Sequence, residues 1–226
     1  MDQVLVVDAP IHSAFITPNT PGSGIPSHGT AKYGEMHAID LVGVDPSNPS
    51  MKPYRPSLCR YIVAGLRLED FHGWGEKVYA PVEGKVVKAV DGIEERDPVS
   101  IFRDLGNVIT ATKGFEREEL DFSAITGNCV IIQYGSDGYC LLAHLRQGSV
   151  RVKVGQTIQR NEAVGELGHS GNSTMPHLHM QFMDSLDFRH ANGIPFKIKE
   201  YSVYRRGAWI KKLNDLPTKK EICKYD

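Results

Sequence analysis

The 226-residue chain is 41% hydrophobic and 23% charged, enough apolar material for one sizeable globular domain or two small ones. Its formal net charge is −1, from 26 Lys+Arg against 27 Asp+Glu, which supplies no global drive toward nucleic acid or an anionic membrane. No run of about 18 apolar residues occurs, so no membrane span is expected; with 22 Gly, 13 Pro and many short alternating runs, the pattern predicts a mainly β, turn-rich architecture.

The N-terminus, M-D-Q-V-L-V-V-D-A-P, lacks a basic region leading into a long apolar core, so no secretory signal is visible. A short strand is expected around Val4–Val7, and residues 1–24 read as an arm lying over the domain. S-H-G-T at Ser27–Thr30 follows, then an expected strand from Glu35 to Val42. Asp40 interrupts that otherwise apolar strand. A buried acid is costly unless it is paired, hydrogen-bonded or bound to a metal; the plainer reading is a strand-end Asp making turn hydrogen bonds.

Residues 43–72 carry four prolines in V-D-P-S-N-P-S-M-K-P-Y-R-P and are expected to form a loop insertion walling a groove. His72, beside Gly73 and Gly75, reads as a surface residue able to touch substrate. Val78–Val90 reads as a strand, a Glu83-Gly84 turn and a second strand. Those pieces also resemble the hairpins of biotinyl/lipoyl carrier domains, but Lys85 lacks the Met-Lys-Met flanks of a modifiable lysine.

Residues 92–127 are expected to be a helical insertion. Asp97 is a suitable N-cap and Pro98 a suitable first helical residue, with Val99, Phe102, Leu105 and Ile109 at helical spacing. The acidic run Glu116–Asp121 reads as a solvated face. From Cys129, two strands joined around Asp137-Gly138 give a hairpin signal, with His144 near its end on the face of Leu142. A lone His there is more often a satisfied core residue. The four cysteines (Cys59, Cys129, Cys140, Cys223) are too widely spaced for a Cys-x-x-Cys zinc cluster and read as free buried thiols.

The densest chemistry lies in Gly168–Asp184, G-H-S-G-N-S-T-M-P-H-L-H-M-Q-F-M-D. Gly171-Asn172-Ser173 is turn chemistry and Pro176 resists helix, so a loop feeds a strand. Side chains two apart on a strand share a face, with Cα atoms roughly 6.5–7 Å apart. His177 and His179 can therefore share one site, either as two ligands or as one ligand and one acid/base group. Two polar residues on an exposed strand face are the plainer alternative. Beyond Asp184 one further strand is expected at Phe196–Tyr204, with a basic tail packing on the core.

The run G-N-S-T-M-P-H-L-H resembles the G-N-S-T-x-P-H-L-H signature of lysostaphin-type peptidoglycan metallopeptidases, a zinc endopeptidase family. Further matches fall in order at Ala38–Leu41, Val78–Val87 and Cys140–Leu145, so the resemblance covers most of residues 25–184. It implies an antiparallel, barrel-like β sandwich with a groove over its central sheet. It also implies zinc held by two imidazoles and a carboxylate, a peptide of the bacterial cell wall as substrate, and a wall-directed location.

Within that resemblance Asp40 and His179 are expected ligands, and His144 and His177 are expected to act on water, oxyanion or leaving amine. The family usually places a His four residues before the Asp, where this chain has Met36. His37, three before, should face away if the strand is regular. The S-H-G-T branch of the family and the intervening Gly29 and Gly34 favour His28 as the third ligand. Two rivals remain: a non-catalytic member that binds cell wall or activates another hydrolase, separable by metal content, and a phosphotransfer domain, separable by a test for phosphohistidine.

Overall fold

The computed structural model describes residues 4–48, 50–118 and 121–225. The first strands are β1 (Leu5–Val7), β2 (Phe15–Ile16), β3 (Ile39–Gly43), β4 (Lys77–Tyr79), β5 (Gly84–Val90), β6 (Asn128–Tyr134) and β7 (Gly138–Leu145). They are followed by β8 (Thr157–Ile158), β9 (Ala163–Glu166), β10 (Leu178–Met183), β11 (Phe196–Arg205), β12 (Ala208–Asp215) and β13 (Cys223–Lys224). The α-helices are α1 (Leu58–Ala64), α2 (Ile101–Glu116) and α3 (Phe122–Thr126). The fold is mainly β, as composition predicts.

One sheet runs in the order β1-β11-β13-β2-β3-β10-β7-β6-β5-β8, with β12 paired to β11, and β4-β9 form a separate ribbon. The path is open, so the sheet does not close into a barrel. β1 pairs with β11 and β2 with β3, which carries the N-terminal segment into the sheet.

β10 explains the layout. It is hydrogen-bonded to β3 on one side and β7 on the other, and all six of its residues are buried. Leu178, Met180 and Phe182 enter the larger core with Ile39, Leu41, Cys140 and Leu142. Phe182 sits between the rings of Tyr134 and Phe196, at centroid distances of 5.7 and 4.8 Å. The opposite face carries a smaller cluster containing Ile131, Leu141, Ala143, Met183, Phe115 and Phe188.

Several expectations need correction. The strand expected from Glu35 begins only at Ile39, because Lys32–His37 forms a 3-10 segment in which Tyr33 and Gly34 take positive φ. Residues 43–72 are not wholly irregular: α1 forms there, and Tyr54, Tyr61, Leu66, Leu68 and Phe71 pack with Val99 as a third cluster. The two strands of Val78–Val90 do not pair with each other, since β4 joins β9 while β5 joins β6 and β8.

The insertion is helical, but Ser100, not Asp97, precedes its helix. Asp97 instead accepts from the Leu68 N–H, and Val99 bridges Leu66 in an extended conformation. Phe102, Leu105 and Ile109 face solvent, not the core. Glu119 and Leu120 of the expected acidic run lie outside the described residues; Glu116 and Glu118 are exposed, and Asp121 caps α3 through the Ala124 N–H. All four cysteines are free, and three are buried as expected, but Cys59 is exposed on α1. The C-terminal segment forms a β11–β12 hairpin and β13.

Candidate metal centre

His179 lies opposite Asp40 across the β10–β3 ladder, so strand pairing alone brings an imidazole and a carboxylate together. His179 Nδ1 is 3.0 Å from Asp40 Oδ1, and its Nε2 is 2.9 Å from Gln181 Oε1. Gln181, two residues on and so on the same face, donates its amide to Tyr33 O at 2.9 Å. The Nε2 contact to Gln181 Oε1 is the outer hydrogen bond that orients a metal-ligating histidine, and it leaves Nδ1 as the nitrogen facing Asp40.

His28 arrives from the S-H-G-T turn. Its Nε2 is 3.0 Å from Asp40 Oδ2, and its Nδ1 is 3.0 Å from Ser27 Oγ, which also donates to Glu35 O. Gly34 has φ 76°, and a Cβ there would meet Gln181 Nε2 at 2.7 Å, so a larger residue would push this loop off the site. His37 lies outside the group. Its position in the 3-10 segment, not the strand alternation expected from sequence, sets where it points.

Ligand-capable atoms of His28, Asp40 and His179 lie within 4.8 Å of one another, a spacing that one ion can bridge. The donor set fits a metal. His28 Nε2 is buried without a hydrogen-bond partner, although it sits against a carboxylate and faces a second imidazole. Two imidazoles and one carboxylate are also the ligand types that zinc takes in catalytic sites.

His177 and His144 stand beside this group. His177 Nε2 is 3.7 Å from Asp40 Oδ1, and its ring centroid is 4.6 Å from that of His144. His177 Nδ1 lies 2.8 Å from Met175 O, and His144 Nδ1 lies 2.9 Å from Ser170 O. Carbonyls only accept, so each Nδ1 carries the proton and each Nε2 keeps a lone pair.

His144 does not share Leu142's face. Asn128 pairs with Leu145 and Val130 with Leu142, so Ala143 and His144 together oppose Cys129. This is a β-bulge, and His144 takes φ 63° within it. The extra residue turns His144 to the site and returns Leu145 to the core, which strict alternation did not foresee.

The electrostatics set His179 apart from His177 and His144. Burial would raise Asp40, but His177, His179 and His28 hold it well below the usual carboxylate range. Burial would lower His179, but the hydrogen bond and charge of Asp40 outweigh it and raise the imidazole to about 9. Burial lowers His177, with Asp40 only partly offsetting it, and lowers His144 further with help from His177 and His179. The neutral pair is therefore the one expected to have acid/base roles. Glu35, raised chiefly by burial, adds a second carboxylate near the group.

Sequence reasoning did not single out the supporting shell. Asn19 donates to Asp40 Oδ2 at 2.7 Å. Ser173 Oγ lies 3.1 Å from His177 Nδ1 and 3.0 Å from His169 Nδ1. Arg96 donates to Gly171 O and Ser173 O, both at 2.7 Å, and to Asp104 Oδ1 at 2.6 Å. The insertion thereby grips the loop that carries His177. The Asn and Ser of G-N-S-T were visible, but nothing in the sequence ties Arg96 or Asp104 to that loop. His72 is half-buried and does not line the cavity over the site.

Residues 99–193 match the family model described as Peptidase family M23. This match covers the signature loop and the strand after it, and it supports the lysostaphin-type resemblance of those residues. Among solved structures, the catalytic domain of the antimicrobial peptidase lysostaphin from Staphylococcus simulans is 18% identical, with a TM-score of 0.39 over 80% of this chain and 88% of that one. The solution structure of lysostaphin is 19% identical, with a TM-score of 0.42 over 81% of this chain and 51% of that one. A zinc-containing peptidase from Vibrio cholerae is 20% identical, with a TM-score of 0.32 over 62% of this chain and 35% of that one. No curated protein matches the chain.

Proposed function

We propose that the chain is a zinc endopeptidase that hydrolyses peptide bonds in the stems or crossbridges of bacterial peptidoglycan. The observation that carries this reading is the convergence of His28, Asp40 and His179 beside two neutral imidazoles whose Nε2 atoms carry lone pairs. His28 Nε2, Asp40 and His179 Nδ1 would hold the ion, which would supply Lewis-acid polarisation of the scissile carbonyl. His177, nearer Asp40, is suited to take a proton from the attacking water through Nε2. His144, whose ring lies 4.6 Å from that of His177, can receive that same proton, stabilise the oxyanion as the imidazolium and then pass the proton to the leaving amine. Ser170 O and Met175 O hold both rings in the required tautomer.

Elemental analysis after dialysis, paired with cleavage of peptidoglycan fragments, tests the reading. About one zinc per chain is expected, with hydrolysis lost to a chelator and restored by zinc. Metal retention should fail in acid, because imidazole ligands must be deprotonated to bind. A metal-free protein that still cleaves peptide overturns the proposal. A zinc-loaded protein that binds cell wall but never cleaves it supports the non-catalytic alternative.

A further inference from the structure

The cavity over the candidate metal centre extends well past it, to about 450 Å³. Beyond His144, His177 and His179 its walls become apolar: Val108 and Phe115 of α2, Ile125 of α3, Leu141 and Ala143 of β7, and Phe188. Four of these are firmly packed, with Phe115 at 6%, Leu141 at 2%, Ala143 at 1% and Phe188 at 9% exposure. Phe188 stacks on Phe122 at 3.6 Å, and Phe115 is held between Tyr33 at 5.2 Å and the Arg189 guanidinium at 4.4 Å. Asn172 of the signature loop donates to Thr112 of α2, which ties the insertion to the mouth.

Resting on the endopeptidase reading, we propose that this pocket receives an apolar side chain from a residue flanking the scissile bond. The chain would then cleave bonds beside alanyl or larger aliphatic residues in preference to bonds within a glycine bridge. A glycyl segment has no side chain to displace water from these walls, whereas each methylene placed there removes apolar surface from solvent. The rigid lining makes that gain depend on side-chain size. Charge sharpens the choice. Glu35 and Glu116 also line the cavity, and among the described residues no Lys or Arg does, so an anionic side chain would meet like charge at those walls.

The test uses the full zinc-loaded chain and a peptide series whose scissile bond is flanked by Gly, Ala, Leu or Glu, in both configurations. kcat/KM should rise about 10-fold or more from glycine to the preferred aliphatic residue, the range typical of one or two methylenes in an apolar pocket, and should fall below glycine for Glu. Ile125→Trp should narrow the pocket and erase most of the aliphatic advantage. Val108→Trp serves as a second variant if the first fails to fold. Equal or faster cleavage of the glycyl peptide, with Ile125→Trp slowing every peptide alike, overturns the proposal and leaves the endopeptidase reading standing. If no peptide is cleaved, the endopeptidase reading fails. The affinities of the same peptides then decide the pocket, and equal binding of glycyl and leucyl peptides overturns it.

Discussion

β10 and α2 both bring side chains to the site, and they obey their sequence patterns differently. β10 alternates as written: Leu178, Met180 and Phe182 go to the core, while His179, Gln181 and His177 just before the strand go to the site. α2 turns its visible apolar stripe outward, with Phe102 at 69% and Leu105 and Ile109 at 50% exposure, and buries Asp104 completely. A strand paired on both edges cannot change its facing without breaking two ladders. A helix has no such ladder and can rotate to satisfy its most demanding group. Asp104 is that group. It accepts from Arg96, Arg103 and the Ser100 N–H, and His169 lies 3.6 Å away.

The largest expected effects fall on the site face of β10. His177→Ala should slow hydrolysis about 10²–10⁴-fold while leaving zinc in place, since general acid–base groups typically contribute that much. His179→Ala should remove zinc and activity together, and His28→Ala should weaken zinc sharply while His37→Ala does not. Metal content and kcat measured on the same samples separate the roles. Zinc lost from His177→Ala and kept by His179→Ala would reverse them. On the core face, Phe182→Ala should cost about 3–5 kcal/mol of stability in a denaturant melt and leave the folded fraction metal-loaded. Metal loss without destabilisation would show that the two faces are not separate.

Asp104→Ala should cost a similar amount, about 3–5 kcal/mol, because it strands Arg96 against the signature loop. The carboxylate has an added signature in acid. Burial would raise it, but His169, Ser100, Arg96 and Arg103 hold it below its ordinary 3.8. A carboxylate so depressed stabilises the fold above its unfolded value, and that stability is lost as pH falls through the folded value. Wild type should therefore lose stability below about pH 4 more steeply than Asp104→Asn does. Parallel curves would mean that Asp104 is not what turns the helix.

A smaller effect concerns the chelator-treated protein. There His179, raised from 6.5 to about 9 by Asp40 against the pull of burial, contributes stability that is full below 6.5 and lost as pH rises through 9. The stability difference between metal-free wild type and metal-free His179→Gln should shrink across that window. A constant difference from pH 6 to 10 would contradict the Asp40 pairing.

The parts legible in sequence are those fixed by short-range rules. The His177/His179 face, the β6–β7 hairpin and the helical insertion followed from period and turn residues, and Asp40 stood out as an acid among apolar neighbours. The misreadings arise where a long-range contact decided the outcome. Strand alternation puts His144 on Leu142's face, and no residue type announces the bulge that moves it. The strand expected from Glu35 gave way to a 3-10 turn because Gly34 packs under Gln181, which lies 147 positions later. Asp97-Pro98 looked like a helix start, but Val99 is needed at Leu66 and holds the chain extended.

The smallest expected effect tests the helix itself. If Asp104 and the cavity-facing residues set how α2 lies, then Leu105 and Ile109 contribute little to the fold. Both are half exposed on the outer face, and neither lines the cavity. Leu105→Lys and Ile109→Lys should each change stability by no more than about 0.5 kcal/mol, as surface substitutions away from special features do. Lysine is also a good helix former, so local propensity offers no compensating loss. The measurement is a urea melt of each variant beside wild type. A cost above about 2 kcal/mol for either would put that side chain in a packed environment, since only cavity formation or buried charge produces losses of that size at a single apolar position. The apolar stripe would then face the core as its spacing suggests, and Asp104 would have to lie on the solvent side.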